Sequence, residues 1–258
     1  MIDPAIEVTD LRKNFGAVEA LKGLSFSVPP GAVTGLLGGN GAGKTTTISI
    51  LLGLLLPSSG AIRVLGVDML RDRYRVLPRM NFTSPYVDLP HRLTVMENLQ
   101  VAGHLYGLSR VKEKARALAR DLEVEHLLKR PLGQLSSGQK TRVALAKSLL
   151  NEPDLLLMDE PTASLDPDMA DFVRGYLEAY QKRTGATMLL ASHNMTEVER
   201  MCGEVIMLRA GEVVDHGPPK ELIRRHGRKN MEEVFIAIAR HNGEHGGAGA
   251  NPPGGRRP

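Results

Sequence analysis

The chain opens on alternation. Ile6-Glu7-Val8 through Phe15-Gly16 places apolar and polar residues in turn, and Leu24-Ser25-Phe26-Ser27-Val28 does so again before Pro29-Pro30-Gly31. A period of two buries one face of each segment and predicts two antiparallel strands closed by a turn. The pattern then becomes a continuous apolar run, Ala32-Val33-Thr34-Gly35-Leu36-Leu37, which reads as a buried strand. Helical spacing follows over 46–55, then a turn at Pro57-Ser58-Ser59-Gly60 and a strand at Ala61-Ile62-Arg63-Val64-Leu65. Residues 68–79 are mixed in pattern and are predicted helical. Residues 81–90, with two prolines, read as a strand end followed by a loop.

From 94 to 150 the period is helical, and Thr94 with Glu97 three residues later carries a capping signature. Beyond Pro153 strand and helix alternate: 155–158, 187–191 and 205–208 are short apolar runs, with a helix predicted over 169–184. Arg209-Ala210-Gly211-Glu212 joins 205–208 to 213–214 as a hairpin. This order predicts an α/β fold with a mainly parallel core sheet, an antiparallel β subdomain at the N-terminus and a helical insert. We therefore expect one unit over 1–240, with the helical part at about 86–150. Residues 241–258, rich in Gly, Pro and His, are expected to be disordered.

Composition narrows the class. The longest nearly continuous apolar stretch, 48–56, is interrupted by Ser49 and Gly53 and falls well short of the roughly 20 residues that cross a bilayer. Met1-Ile2-Asp3-Pro4 lacks the basic start and apolar region of a secretory signal, so a cytosolic chain is expected. A single cysteine, Cys202, excludes an internal disulfide framework and reads as a small filler on a helix face. The excess of 33 Lys+Arg over 29 Asp+Glu is small. Part of it comes from Arg110, Lys112, Lys114, Arg116 and Arg120, which alternate with Ala and Leu as on the solvated face of a helix, and nucleic acid is not expected as a partner.

The chemistry concentrates in three stretches. Gly38-Gly39-Asn40-Gly41-Ala42-Gly43-Lys44-Thr45, followed by Thr46, lies between a predicted strand and a predicted helix and fits the phosphate-loop pattern. Its glycines let backbone N–H groups turn toward phosphate, and the helix N-terminus adds partial positive charge. On this motif Lys44 reaches β- and γ-phosphates, and Thr45 presents its hydroxyl to a magnesium ion that a neighbouring strand's carboxylate also holds. The apolar run Leu155-Leu156-Leu157-Met158 ends in Asp159-Glu160. If that strand lies beside the one feeding the loop, Asp159 meets the magnesium and Glu160 is placed to take a proton from an attacking water. Leu135-Ser136-Ser137-Gly138-Gln139 precedes a helix predicted over 140–150, and taken alone it is an N-cap. Phe15 is either core or a platform for a purine ring.

The ordered set of the 38–45 loop, Leu135–Gln139 spelled above, Asp159-Glu160, Ser164-Leu165-Asp166 and His193 after an apolar strand resembles the nucleotide-binding subunit of an ATP-binding cassette transporter over about 5–238. The resemblance implies the P-loop ATPase fold of that family, with ATP and Mg2+ as ligands. It also implies two subunits head to tail, each ATP held by the phosphate loop of one and Ser136, Gly138 and Gln139 of the other. Glu160 matches the family's catalytic base and His193 its switch residue. Asp166 matches the loop that communicates across the dimer, and Phe15 the aromatic against adenine. The helical insert is where such subunits grip an integral membrane permease, which places this chain peripherally on the cytoplasmic face of the inner membrane. The C-terminal stretch, Glu221-Leu222-Ile223 and Met231 to Ile236, resembles exporter-type subunits. A soluble relative acting on DNA or ribosomes is the alternative; such chains generally carry two cassettes or a long coiled-coil insertion, and the interval from Lys44 to Asp159 holds neither. Three residues depart from the pattern. Gly39 stands where proline is commoner, Ser137 where the signature has its first glycine, and Thr83-Ser84-Pro85 lacks the glutamine that touches magnesium. Ser84 is the nearest polar substitute, and slower, more partner-dependent hydrolysis is the expectation.

Overall fold

The computed structural model describes residues 3–85 and 89–240. The expected disordered tail at 241–258, and the first residues of the segment expected to begin the helical insert, lie outside the described residues. Alternation at the N-terminus gives β1 (Ile6–Phe15) and β2 (Val18–Val28), paired antiparallel. The continuous apolar run is β3 (Val33–Gly38), and the phosphate-loop segment leads from it into α1 (Lys44–Leu51). This helix is earlier and shorter than the expected 46–55, because the chain turns through Gly53 at φ +69°.

β4 (Ser59–Val64) adds to β1, and β5 (Val67–Asp68) pairs back on β4. Residues 68–79 are therefore not a helix. Asp68 Oδ1 accepts from Leu70 N at 2.9 Å and closes a turn, and only two short 3-10 segments follow, Arg73–Arg75 and Leu77–Arg79, the second with Pro78 in its first turn.

β6 (Met80–Thr83) precedes the helical part, α2 (Val95–Leu105), α3 (Val111–Asp121) and α4 (Ser137–Leu149). Thr94 caps α2 in the expected box with Glu97. Then come β7 (Leu155–Asp159), α5 (Pro167–Thr184), β8 (Thr187–Ala191), α6 (Met195–Met201), β9 (Glu204–Arg209), β10 (Glu212–Gly217), α7 (Pro219–Arg225) and α8 (Met231–Arg240). The expected hairpin is β9–β10.

The main sheet runs β10-β9-β3-β8-β7-β6, parallel except for β10, and the antiparallel sheet runs β2-β1-β4-β5. The adjacency on which the roles of Asp159 and Glu160 are conditioned is not met. β7 is not beside β3: the chain leaves β7 through α5 and returns as β8, which inserts between them. Strand order is set by these crossovers and leaves no mark on the apolar run of any one strand. Alternate residues of the buried strands feed two cores. Leu155 and Leu157 face α1 and the antiparallel sheet, whereas Leu156 and Met158 face the helical side with α4 and α5.

Candidate functional site

The phosphate loop is shaped by steric necessity. At Gly38 a Cβ would lie 2.6 Å from the Leu208 carbonyl oxygen and 2.7 Å from Ala42 Cβ, so β3 can end there only in glycine. Gly43, the residue before α1, has φ +106°, and a Cβ there would meet Leu21 Cδ2 at 2.6 Å. The loop is braced from both sheets: Ala42 N donates to Gly39 O at 3.1 Å, Gly211 N to Ala42 O at 3.1 Å, and Lys22 N to Gly211 O at 2.8 Å. Gly39, Asn40, Gly41 and Thr45 remain exposed, Ala42 is buried, and Thr46 is half-buried. No acidic residue occupies the first turn of α1, so its amide dipoles favour an anion unopposed. Lys44 Nζ donates to the carbonyls of Gly38 at 2.6 Å and Gly39 at 3.2 Å. Burial lowers its pKa, and the charges of Glu160 and Asp159 act against that lowering.

Two further loops leave the same C-terminal edge of the parallel sheet, from β8 and from β7. Asp159 pairs in register with Ala191, and Glu160 N donates to Ala191 O at 2.8 Å. Glu160 itself has φ +52°, a left-handed conformation that a glutamate adopts only when its surroundings impose it. That bend turns its side chain to His193: Oε1 lies 2.6 Å from His193 Nδ1 and accepts from His193 N at 3.0 Å. Burial raises the pKa of Glu160, with the His193 contacts opposing it, and burial likewise raises Asp159, with Lys44 opposing. A carboxylate held toward its neutral form is a better proton acceptor than an ordinary surface glutamate at the same pH.

Ser136 and Gln139 form a complete capping box at the start of α4, with Gln139 N donating to Ser136 Oγ at 3.3 Å and Ser136 N to Gln139 Oε1 at 3.0 Å. The capping reading is therefore realised, and α4 starts at Ser137 and not at 140. A Cβ on Gly138 would come within 3.3 Å of Ser164 O, so the signature turn packs on the loop that precedes Asp166. Asp166 caps α5 by accepting from Met169 N at 3.0 Å. Phe15 is half exposed and belongs to neither core cluster, which removes the core reading; Lys13 Nζ lies 5.0 Å from its ring centroid. Ser84 is buried and lines a cavity with Ser137, Lys140 and Thr141. Cys202 is buried, its thiol pushed up to about 12 by burial and by Glu197, as suits an inert filler.

Thr45 and Asp159 offer hard oxygen donors, and among the described residues no cluster of three or more His, Cys, Asp or Glu forms a metal cage. That donor set fits Mg2+, which takes one or two protein oxygens and completes its shell with phosphate and water. One buried carboxylate beside the site left no recognisable trace in the sequence pattern. Glu197, on α6, is fully buried and hydrogen-bonds to Thr162 and Ser192. Its only signal is Asn194 three residues earlier, which reads as an ordinary helix cap.

Residues 21–163 match the family described as ABC transporter. The chain is 36% identical over 234 residues to Nod factor export ATP-binding protein I of Ralstonia nicotianae, covering 90% of this chain and 73% of that protein. It is 35% identical over 239 residues to the ABC transporter ATP-binding protein NatA of Bacillus subtilis, covering 90% of this chain and 97% of that one. Among solved structures, an ATP-binding subunit of an ABC transporter superposes with a TM-score of 0.84 at 28% identity, over 91% of this chain and 99% of that one. A cassette dimer bound to ADP and phosphate superposes at 0.77 and 23% identity, over 83% of this chain and 98% of that one, a likeness of fold. With the phosphate loop, carboxylate strand end, histidine and signature turn in this fold, these relatives place the chain in the ABC transporter family, as an ATP-binding subunit that hydrolyses ATP.

Proposed function

We propose that two copies of this chain close head to tail around two ATP molecules and drive a separate membrane permease, in the direction of export. The observation that carries the dimer is the separation of two half-sites within one chain. Lys44 follows β3, whereas Ser136 and Gly138 begin α4, which packs on β6, and β8 and β7 stand between β3 and β6. Three strand spacings, roughly 14 Å, keep the signature turn of one chain from its own phosphate loop. A second copy in the opposite orientation supplies it. The working unit is residues 1–240, with the helical part from about 86 to 150 as its second lobe.

In this reading the loop amides from Gly39 to Thr46 cradle the phosphates, Lys44 leaves its carbonyl partners for the β- and γ-phosphates, and Phe15 supports the adenine ring. Thr45 and Asp159 would hold Mg2+. Ser84 follows Thr83, which pairs with Met158 one residue short of Asp159, and is the nearest polar substitute for the missing glutamine. Bound magnesium would neutralise charge on the β- and γ-phosphate oxygens. Glu160 accepts the proton of the attacking water. His193, with Nδ1 engaged by Glu160, leaves Nε2 for the γ-phosphate. Ser136 Oγ and the Gly138 amide meet the γ-phosphate of the partner's ATP, so hydrolysis weakens the contact joining the subunits. Asp166, beside the signature turn, is the residue placed to report across the interface.

The permease side is supported by an apolar groove between the lobes, lined by Leu52, Leu54, Phe82, Leu105, Tyr106 and Lys147. Leu54 is 77% and Leu105 82% exposed, a cost that makes sense for a face that docks. No described helix is long and apolar enough to cross a membrane. We take the membrane component to be a separate polypeptide, with this chain on its cytoplasmic face, as the resemblance to the family implies. Relatives named for Nod factor export support the direction. Affinity capture of the chain from gently solubilised membranes of its own source, with mass spectrometry, tests this. The expected result is one multi-span membrane protein in near one-to-one ratio. Recovery of ribosomal or DNA-repair proteins without a membrane protein contradicts the transport reading.

A further inference from the structure

Glu197 is 0% exposed, yet it carries a carboxylate. Burying that group is costly unless its oxygens are satisfied. Both are: Thr162 Oγ1 donates to Oε1 at 2.9 Å, and Ser192 Oγ donates to Oε2 at 2.6 Å. The Ser192 hydroxyl in turn accepts from Asn194 N at 3.1 Å. An ordinary capping glutamate would fold back on Asn194; this one instead spans two loops of the site.

Each loop carries one residue of the proposed reacting pair. Thr162 lies two residues after Glu160, in the turn where Ala163 N donates to Glu160 O at 3.2 Å and Leu165 N to Thr162 O at 3.1 Å. Ser192 immediately precedes His193. The main chain ties the two loops together, Glu160 N to Ala191 O at 2.8 Å and His193 N to Glu160 Oε1 at 3.0 Å, but it does not hold the His193 ring. The His193 side chain is 73% exposed, so packing does not hold it, and Glu160 sits in a left-handed conformation that its neighbours must enforce. The 2.6 Å contact between them therefore depends on how the two turns are set relative to each other.

We propose that Glu197 is a positioning residue for ATP hydrolysis: its buried carboxylate, bonded by Thr162 on one side and Ser192 on the other, fixes the register between Glu160 and His193. The proposal rests on the reading of Glu160 as proton acceptor and His193 as γ-phosphate ligand. A carboxylate is needed because both hydroxyls donate to it. Glutamine has nearly the same shape but only one accepting oxygen and no charge, so one hydroxyl must turn to accept from the amide N–H and both charge-assisted bonds across the loops are weakened. Thr162→Val removes the same bond from the other end while keeping shape, and Thr162→Ser keeps the hydroxyl.

The test compares full-length wild type with Glu197→Gln, Thr162→Val, Thr162→Ser and Glu160→Gln. It measures phosphate release under single turnover with Mg-ATP, equilibrium ATP binding, the thermal midpoint, and the 15N resonances of the His193 ring. We expect Glu197→Gln and Thr162→Val to lower the rate of hydrolysis on the order of tenfold to a hundredfold, as a misplacement of up to about an ångström between reacting groups does. ATP affinity should stay within about twofold, the His193 Nδ1 signal should lose its hydrogen-bonded position, and Thr162→Ser should behave as wild type. Wild-type hydrolysis in Glu197→Gln or Thr162→Val, with Glu160→Gln inactive, overturns the inference alone. Parallel loss of hydrolysis, ATP affinity and thermal midpoint reduces Glu197 to a packing role and also overturns it. Wild-type hydrolysis in Glu160→Gln removes the proposed base, and the inference falls with it. If Glu197→Gln does not fold, the contrast between Thr162→Val and Thr162→Ser decides.

Discussion

The phosphate loop and the Glu160–His193 pair stand at the same edge of one sheet but are built by different means. The loop is a backbone object: glycine at 38 and 43 is required by close approach and by φ, and main-chain bonds among Gly39, Ala42 and Gly211 brace it. The pair is a side-chain object, held by a strained φ at Glu160 and by a buried carboxylate from an element further along the chain. A cradle for a bound anion has to be rigid before the ligand arrives, and glycine sterics supply that. A group that must accept a proton needs a tuned environment, and burial supplies it.

Substitutions can separate the two. Glu160→Gln should lower turnover by about 10²–10⁴-fold, the range of a lost general base, while ATP binding persists; steady-state phosphate release with a binding titration checks both. Lys44→Ala should lose ATP affinity as well as turnover, the latter by about 10²–10³-fold, so the split between binding and rate distinguishes loop from pair. Gly38→Ala should destabilise the fold by about 1–3 kcal/mol, because the added Cβ meets backbone at Leu208 and not a flexible side-chain end; chemical denaturation measures it, and ATP affinity should fall in step.

The smallest effect concerns pH and stability. Burial raises the pKa of Glu160 above its unfolded value. The folded state therefore binds a proton more tightly than the unfolded chain does, and stability falls as pH rises from the unfolded to the folded value. Above that window Glu160→Gln should melt at a higher temperature than wild type. The advantage should vanish below the ordinary carboxylate range, and melting curves across pH read it. Turnover should move oppositely, falling as acid protonates Glu160 at a higher pH than an ordinary glutamate would require.

How much was legible in the sequence follows the same division. The loop could be read because glycine spacing, lysine and threonine are contiguous and their geometry is local. Alternation over β1 and β2, and the capping box at Thr94, were legible for the same reason. Residues 68–79 misread because a run of mixed polarity carries no period, and Asp68 and Pro78 decided its turns instead. The place of β7 relative to β3 was not legible because the sheet order depends on a crossover through α5. Glu197 was invisible as anything but a cap residue, since its partners Thr162 and Ser192 lie on two other segments. Ser136 shows the remaining limit: its capping bond is local and readable, while the γ-phosphate it is proposed to meet belongs to another copy of the chain.

A site shared between two chains shows in the mass of the ATP-loaded protein. In the Glu160→Gln background, light scattering with Mg-ATP should give twice the 28.1 kDa of the single chain. Adding Ser136→Asp keeps a good N-cap for α4 but sets a negative charge where the partner's γ-phosphate would lie. This second chain should bind ATP, melt as before and stay at 28.1 kDa. Doubling that persists in Ser136→Asp, or a single-chain mass in both proteins with ATP bound, would contradict the shared site.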